Sequence, residues 1–135
     1  MLSLKYIIVP LVIAIISQCI KVLIEFIKYK RISLKRFFNG MGGMPSTHSA
    51  LVASLSTIIY FNYGISSLFA ITLIFSLIVI YDSMGIRYES GKQAEIINEI
   101  VGSNLEEKIG HKPIEALVGV IMGIIFTLII CIIIK

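Results

Sequence analysis

From Pro113 to Ile134 this chain carries one charged side chain, Glu115, in an otherwise unbroken run of apolar and small residues. A small soluble fold cannot cover such a run, whereas a bilayer core takes roughly 20 apolar residues per helix. Tyr6 to Ile27, Ser49 to Phe61 and Ile65 to Tyr81 have the same character. Hydrophobic residues make up 57% of the 135, above the roughly 45–50% of soluble domains. The expected fold is all-α: an integral membrane four-helix bundle, one domain over residues 1–135, with helices near 6–28, 46–62, 65–84 and 112–134. The turn Asn62-Tyr63-Gly64 shortens the second helix. Pro45 and Pro113 suit first helical turns, where a missing N–H costs nothing. No small-residue cleavage site follows the first stretch, so it reads as a retained helix rather than a signal. Cys19 and Cys131 lie in apolar stretches and read as small buried hydrophobes.

The charges lie mostly in two connectors, 29–45 and 85–111. Lys28, Lys30, Arg31, Lys35 and Arg36 follow the first helix, and Arg87, Lys92, Lys108 and Lys112 precede the fourth. The positive-inside rule then puts both connectors in the cytoplasm and both termini outside a plasma membrane. Cations that flank membrane helices and obey this rule speak against nucleic acid as a partner. Within the second connector, Ile96, Ile97, Ile100, Val101, Leu105 and Ile109 recur at helical spacing against Glu95, Glu99, Glu106, Glu107 and Lys108. That pattern predicts a short amphipathic interfacial segment, one or two helices broken near Gly102-Ser103-Asn104. Gly119 and Gly123 form a small-xxx-small pair, the mark of close helix packing within the bundle or in a homodimer.

The chain's two histidines stand at the starts of two of these helices. In Gly40-Met41-Gly42-Gly43-Met44-Pro45-Ser46-Thr47-His48-Ser49, glycines let backbone amides approach an anion and the helix N-terminus adds positive partial charge. Ser46 and Thr47 offer hydroxyls, and His48 a proton; the plainer alternative is a Ser/Thr cap beside a surface histidine. In Gly110-His111-Lys112-Pro113-Ile114-Glu115 the carboxylate follows the histidine by one turn on the same face. A neutral imidazole backed by a carboxylate is a usable nucleophile toward phosphorus, and an unpaired carboxylate inside an apolar helix is costly. Arg87 and Lys92 supply a planar fork and a point charge for phosphate oxygens, with Asp82 placed to orient either. Lys21 shares a face of the first helix with Gln18 and Glu25; it serves either an anion site or an ion pair with Glu25. A metal site built from Asp82, His48, His111 and Glu115 is a further alternative.

Gly43-Met44-Pro45-Ser46-Thr47-His48-Ser49-Ala50 resembles the Pro-Ser-Gly-His motif of the type 2 phosphatidic acid phosphatase superfamily, which includes vanadium haloperoxidases. The segment from Gly110 to Gly119 resembles its third motif, in which Asp follows histidine by four residues. The whole chain, including Asp82, Gly85, Arg87 and Gly91-Lys92-Gln93-Ala94, is similar to a small divergent branch of that superfamily. The superfamily's first motif has no counterpart here, its usual six helices become four, and Thr47 and Glu115 replace Gly and Asp. The resemblance implies metal-free, cofactor-free phosphate-ester hydrolysis through a phosphohistidine. By position His111 would be the nucleophile, Glu115 its orienting carboxylate and His48 the acid. Ser46 and backbone amides near it would hold phosphate, with Thr47 beside them and Gly43 and Asp82 in support; charge and proximity, rather than the motif, add Lys21, Arg36, Arg87 and Lys92. The expected activity is that of a membrane phosphatase on an amphiphilic, lipid-linked phosphate monoester or diphosphate. The alternative is a carrier or binder of anionic lipid or polyprenyl phosphates using the same pocket.

Overall fold

The structure, a computed structural model, describes residues 4–30, 42–107 and 109–134. These form five helices: α1 Lys5–Tyr29, α2 Thr47–Tyr63, α3 Ser67–Met84, α4 Ile86–Val101 and α5 Pro113–Ile133. Three helical stretches are long and apolar enough to cross a membrane, those through α1, α3 and α5. The α3 stretch runs on past Gly85 into α4. With no strand among the described residues, the architecture is the expected membrane helical bundle carrying an amphipathic helix.

α2, at 17 residues, is the shortest of the four bundle helices. It is about 25 Å long at 1.5 Å per residue, and α1, α3 and α5 pack around it. It ends one residue later than the expected 62, since Tyr63 is still helical. The Asn62 amide donates back to the Ile58 carbonyl at 2.7 Å, and Gly64, at φ 62°, terminates the helix in the left-handed region. Ser66 then caps α3 by accepting the Phe69 N–H at 3.3 Å. At this end of the bundle the Tyr6 and Tyr63 rings meet at 5.7 Å, so α1 begins where α2 stops.

The inside of the bundle is small and partly polar, as lipid surroundings require. Val9, Ile13, Ala50, Ile58 and Ile59 form the apolar cluster. Beside it, Thr127 donates to Ser54 at 2.6 Å and the Ser56 and Ser76 hydroxyls pair at 2.8 Å. Large aliphatic side chains such as Ile8, Leu11, Ile74, Ile78, Ile121 and Ile125 are exposed on the outer faces. Lipid is as apolar as these residues, so their burial would contribute little; close backbone approach and interhelical hydrogen bonds, about 0.6 kcal/mol each, must do the packing. Gly119 and Gly123 provide the approach. A Cβ at either would collide with a main-chain carbonyl of α2's side, that of Ser46 or of Ala50. The small-residue pair therefore serves contact within the bundle, between α5 and α2.

α4 is one helix and not two. Gly102, at φ 68°, ends it, and the following residues return along it without helix. The Asn98 side chain clasps the return: it accepts the Leu105 N–H at 2.9 Å and donates to the Leu105 carbonyl at 2.9 Å. Leu105 and Ile109 therefore leave the helical pattern their spacing suggested. Ile86, Ile97, Ile100 and Val101 stay exposed along one side of α4, opposite Glu95 and Glu99.

Gly123→Val is expected to lower stability by about 1–3 kcal/mol, the usual cost of overpacking, because the colliding atom belongs to backbone. Ile125→Leu on the lipid face should be near neutral. Thermal unfolding of the two variants in detergent compares them directly; equal midpoints would show that α2 and α5 do not need this contact.

Candidate active site

The start of α2 is fixed twice. Ser46, fully buried, caps it by accepting the Ser49 N–H at 3.3 Å and the Ser49 hydroxyl at 3.0 Å. Its own N–H donates to the Glu115 carbonyl in the first turn of α5 at 3.0 Å. Two helix N-termini are thus bound side by side, and each brings a histidine. His48 sits in the first turn of α2 and is exposed. His111 stands just before α5 and is buried, its N–H donating to the Ser83 carbonyl at the end of α3 at 3.0 Å. The two rings lie 6.4 Å apart, tilted by 57°.

Glu115 does two things at once. Its carboxylate accepts the Lys112 N–H at 3.0 Å, capping α5, and one of its oxygens lies 3.4 Å from His111 Nδ1. That distance gives an electrostatic contact, but the alignment is not that of a hydrogen bond, and His111 Nδ1 remains a buried atom without a hydrogen-bond partner. Burial pushes the His111 pKa below its ordinary value, and the Lys21 charge pushes the same way. Glu115 pulls upward against both and does not overcome them. His111 is therefore the neutral imidazole at neutral pH.

Lys21 reaches this region from α1 and is buried, its Nζ 3.4 Å from Thr47 Oγ1. Thr47 also accepts from Ser17 at 3.3 Å and donates to Gln18 at 2.9 Å, so its hydroxyl is engaged with α1. Arg87 binds Asp82 through a 2.9 Å ion pair, both about half exposed. Arg87 and Lys21 are both close enough to His48 for their charges to act there. Lys92 lies farther out, paired with Glu89 at 3.0 Å and set over the Tyr88 ring at 4.7 Å. It lines an open cleft of about 450 Å³ together with Gly42, Gly43, Lys112 and Glu115. Gly43, at φ 81°, takes a conformation that favours glycine. Arg36 falls outside the described residues. Among the described residues no three of His, Cys, Asp and Glu converge as metal ligands would, including the set Asp82, His48, His111 and Glu115.

The structure thus brings together His48, His111, Glu115, Lys21, Thr47, Arg87 and Asp82, with Lys92 and Gly43 at the neighbouring cleft. The Ser46 and Thr47 hydroxyls are committed to a cap and to α1. What remains for an anion are those main-chain N–H groups of the first helical turns that the caps leave open; the Ser49, Lys112 and Glu115 N–H groups are taken, and Pro113 has none. Ser83 and Gly110 were not legible as site residues. Ser83 lies in an apolar helix with no motif around it, and Gly110 matters because a Cβ there would strike the Tyr88 backbone.

The sequence profile described as the divergent PAP2 family matches residues 2–126. The chain belongs to the divergent PAP2 family. This family member is 36% identical over 137 residues to the uncharacterized membrane protein YuiD of Bacillus subtilis (strain 168), covering 85% of this chain and 86% of that protein. No solved structure matches it.

Diethyl pyrocarbonate, which modifies accessible neutral imidazole, should acylate His48 of this divergent PAP2 protein readily and His111 slowly. Peptide mass spectrometry at pH 7 reads both sites. Faster modification of His111 would contradict the burial described above.

Proposed function

We propose that the protein is a membrane phosphatase that hydrolyses a lipid-linked phosphate monoester or diphosphate through a phosphohistidine on His111. The observation that carries this reading is the buried, neutral His111, backed by Glu115 and facing the exposed His48 across 6.4 Å. Two helix N-termini and the cations Lys21 and Arg87 surround that gap. Family membership supports phosphatase-related chemistry.

The phosphate would sit between the rings, its oxygens taking main-chain N–H groups at the starts of α2 and α5 and the charges of Lys21 and Arg87. Lys92 adds positive charge to the approach, and Arg36, outside the described residues, is kept as a further candidate cation. His111 Nε2, the ring nitrogen remote from Glu115, attacks phosphorus, and the P–O bond to the leaving alcohol or phosphate breaks. Protonated His48 gives its proton to the departing oxygen. The Glu115 carboxylate stabilises the positive charge on the His111 ring. Water then attacks phosphorus, His48 takes up its proton, and the P–N bond breaks to release inorganic phosphate and restore the ring. This route calls on neither metal nor cofactor. The cations gathered at the site end support a cytoplasmic mouth in the plasma membrane, with both termini outside. Ser46 acts as a positioning residue through its cap.

The test is phosphate release by detergent-purified protein from a panel of lipid and prenyl phosphates, with EDTA present. Release should persist in EDTA, vanish in His111→Ala, and fall about 10²–10⁴-fold in His48→Ala, the usual contribution of a general acid. Release lost in EDTA and restored by a divalent cation would replace the phosphohistidine route with a metal one. Binding of the same phosphates without release would leave a carrier.

The pH profile gives a second check. The nucleophile must be unprotonated, and its pKa lies below the ordinary histidine value, so no acid limb sets in above about 6.5; because His48 must be protonated, the rate rises as pH falls toward that value and declines only beneath it. An acid limb centred above that value would show that His111 is not held neutral by burial.

A further inference from the structure

Between α3 and α5 lies an apolar groove of about 400 Å³ whose floor is α2. Leu73, Leu77 and Ile80 line one wall and Val120, Ile124 and Leu128 the other. Leu73, Leu77 and Ile124 are exposed, so the groove opens along the outer, lipid-facing side of the bundle. The hydroxyls on its floor and α3 wall are already used: Ser76 donates to the Val52 carbonyl at 3.0 Å and pairs with Ser56, while Thr57 donates to the Ala53 carbonyl at 2.7 Å. Water or a polar ligand would therefore find little to bind.

Both ends of the groove are defined. At the far end the Tyr60 and Phe69 rings meet at 5.1 Å. At the near end is Ile80, whose carbonyl accepts the Ser83 hydroxyl at 2.7 Å, and the Ser83 carbonyl in turn accepts the His111 N–H at 3.0 Å. On the floor, Ala53 lies about 8 Å along α2 from His48, five residues at 1.5 Å each. The wall from Phe69 to Ile80 measures about 16 Å, roughly half the hydrocarbon thickness of a bilayer and so about one leaflet deep.

We infer that this groove holds the aliphatic chain of an amphiphile whose phosphate lies at His111. The substrate class is a phosphate carried on a long alkyl, acyl or isoprenyl chain, and the Tyr60–Phe69 pair bounds the length of chain held. The inference rests on the phosphate-ester reading of the site. Its occupant follows from position: the groove is apolar along its walls, opens to lipid, and its near end at Ile80 stands three residues before Ser83, which holds the His111 main chain.

A long-chain alkyl phosphate carrying a diazirine midway along its tail tests this with the full chain in nanodiscs. Photolabelling should concentrate on the peptides holding Leu73, Leu77 and Ile124 and be competed by unlabelled alkyl phosphate. It should persist in His111→Ala, because it needs no turnover. Leu77→Trp and Ile124→Trp, both at exposed positions, should fill the groove and cut specific labelling at least tenfold while the protein elutes as before. Tyr60→Ala should shift competition toward longer chains. Label spread evenly over outer faces such as Ile8 and Leu11 would overturn the inference, as would cross-links joining two copies through the groove. Labelling without phosphate release leaves the groove standing and the hydrolytic reading fallen; release without groove labelling does the reverse.

Discussion

The approach of α5 to α2 at Gly119 and Gly123 sets the relative position of the two histidines. With no side chain between them, the two backbones come close enough for the Ser46 N–H to reach the Glu115 carbonyl at 3.0 Å. That bond joins a residue two before His48 to one four after His111. A larger residue at Gly119 would strike the Ser46 carbonyl and move the start of α2, and the His48 ring with it. In a lipid environment, where apolar burial does not hold helices together, this register depends on small residues and a few hydrogen bonds. The same contact that stabilises the bundle therefore sets the separation of the two rings.

The charges follow from that arrangement. A lysine buried on a membrane helix is costly, on the order of 3 kcal/mol by insertion scales, and Lys21 is buried where α1 meets the start of α2. Its position beside Thr47 places its charge near both histidines. For His111, burial and this cation together outweigh the one nearby carboxylate, so the ring is neutral. Glu115 pulls the other way and is outweighed, while its carboxylate also caps α5 at the Lys112 N–H.

Much of this was legible in the sequence, for identifiable reasons. Apolar length marked the bundle helices, Pro113 and the Ser46 region marked two helix starts, and the four-residue spacing placed Glu115 on the side of His111. The roles of hydroxyls were not legible in the same way. Ser46 and Thr47 look alike whether they bind an anion or cap a helix, and the choice depends on what α1 brings alongside. Ser17 and Gln18 brought acceptors and donors to Thr47, and Ser49 took Ser46. The run from Gly102 to Ile109 misled because its isoleucines keep helical spacing, while the Asn98 clasp and the left-handed Gly102 are tertiary and local choices that periodicity does not record. Ser83 left no trace at all, since its contribution to His111 is a main-chain carbonyl that any residue would supply.

The departures from the superfamily pattern have a common physical form. A fold with fewer helices has fewer elements from which to bring cations to the histidines. Lys21 comes from α1, which packs on α2; Arg87 comes from the first turn of α4 and is steadied by Asp82 at the end of α3. Gly110, pressed against the Tyr88 backbone, ties the segment carrying His111 to that same α4. Substituting at α4 therefore acts together on the cation that this helix carries and on the histidine that lies beyond its end. The interfacial helix is in this sense part of the site: it is the element through which the third and fifth helices are joined at the end where both histidines lie.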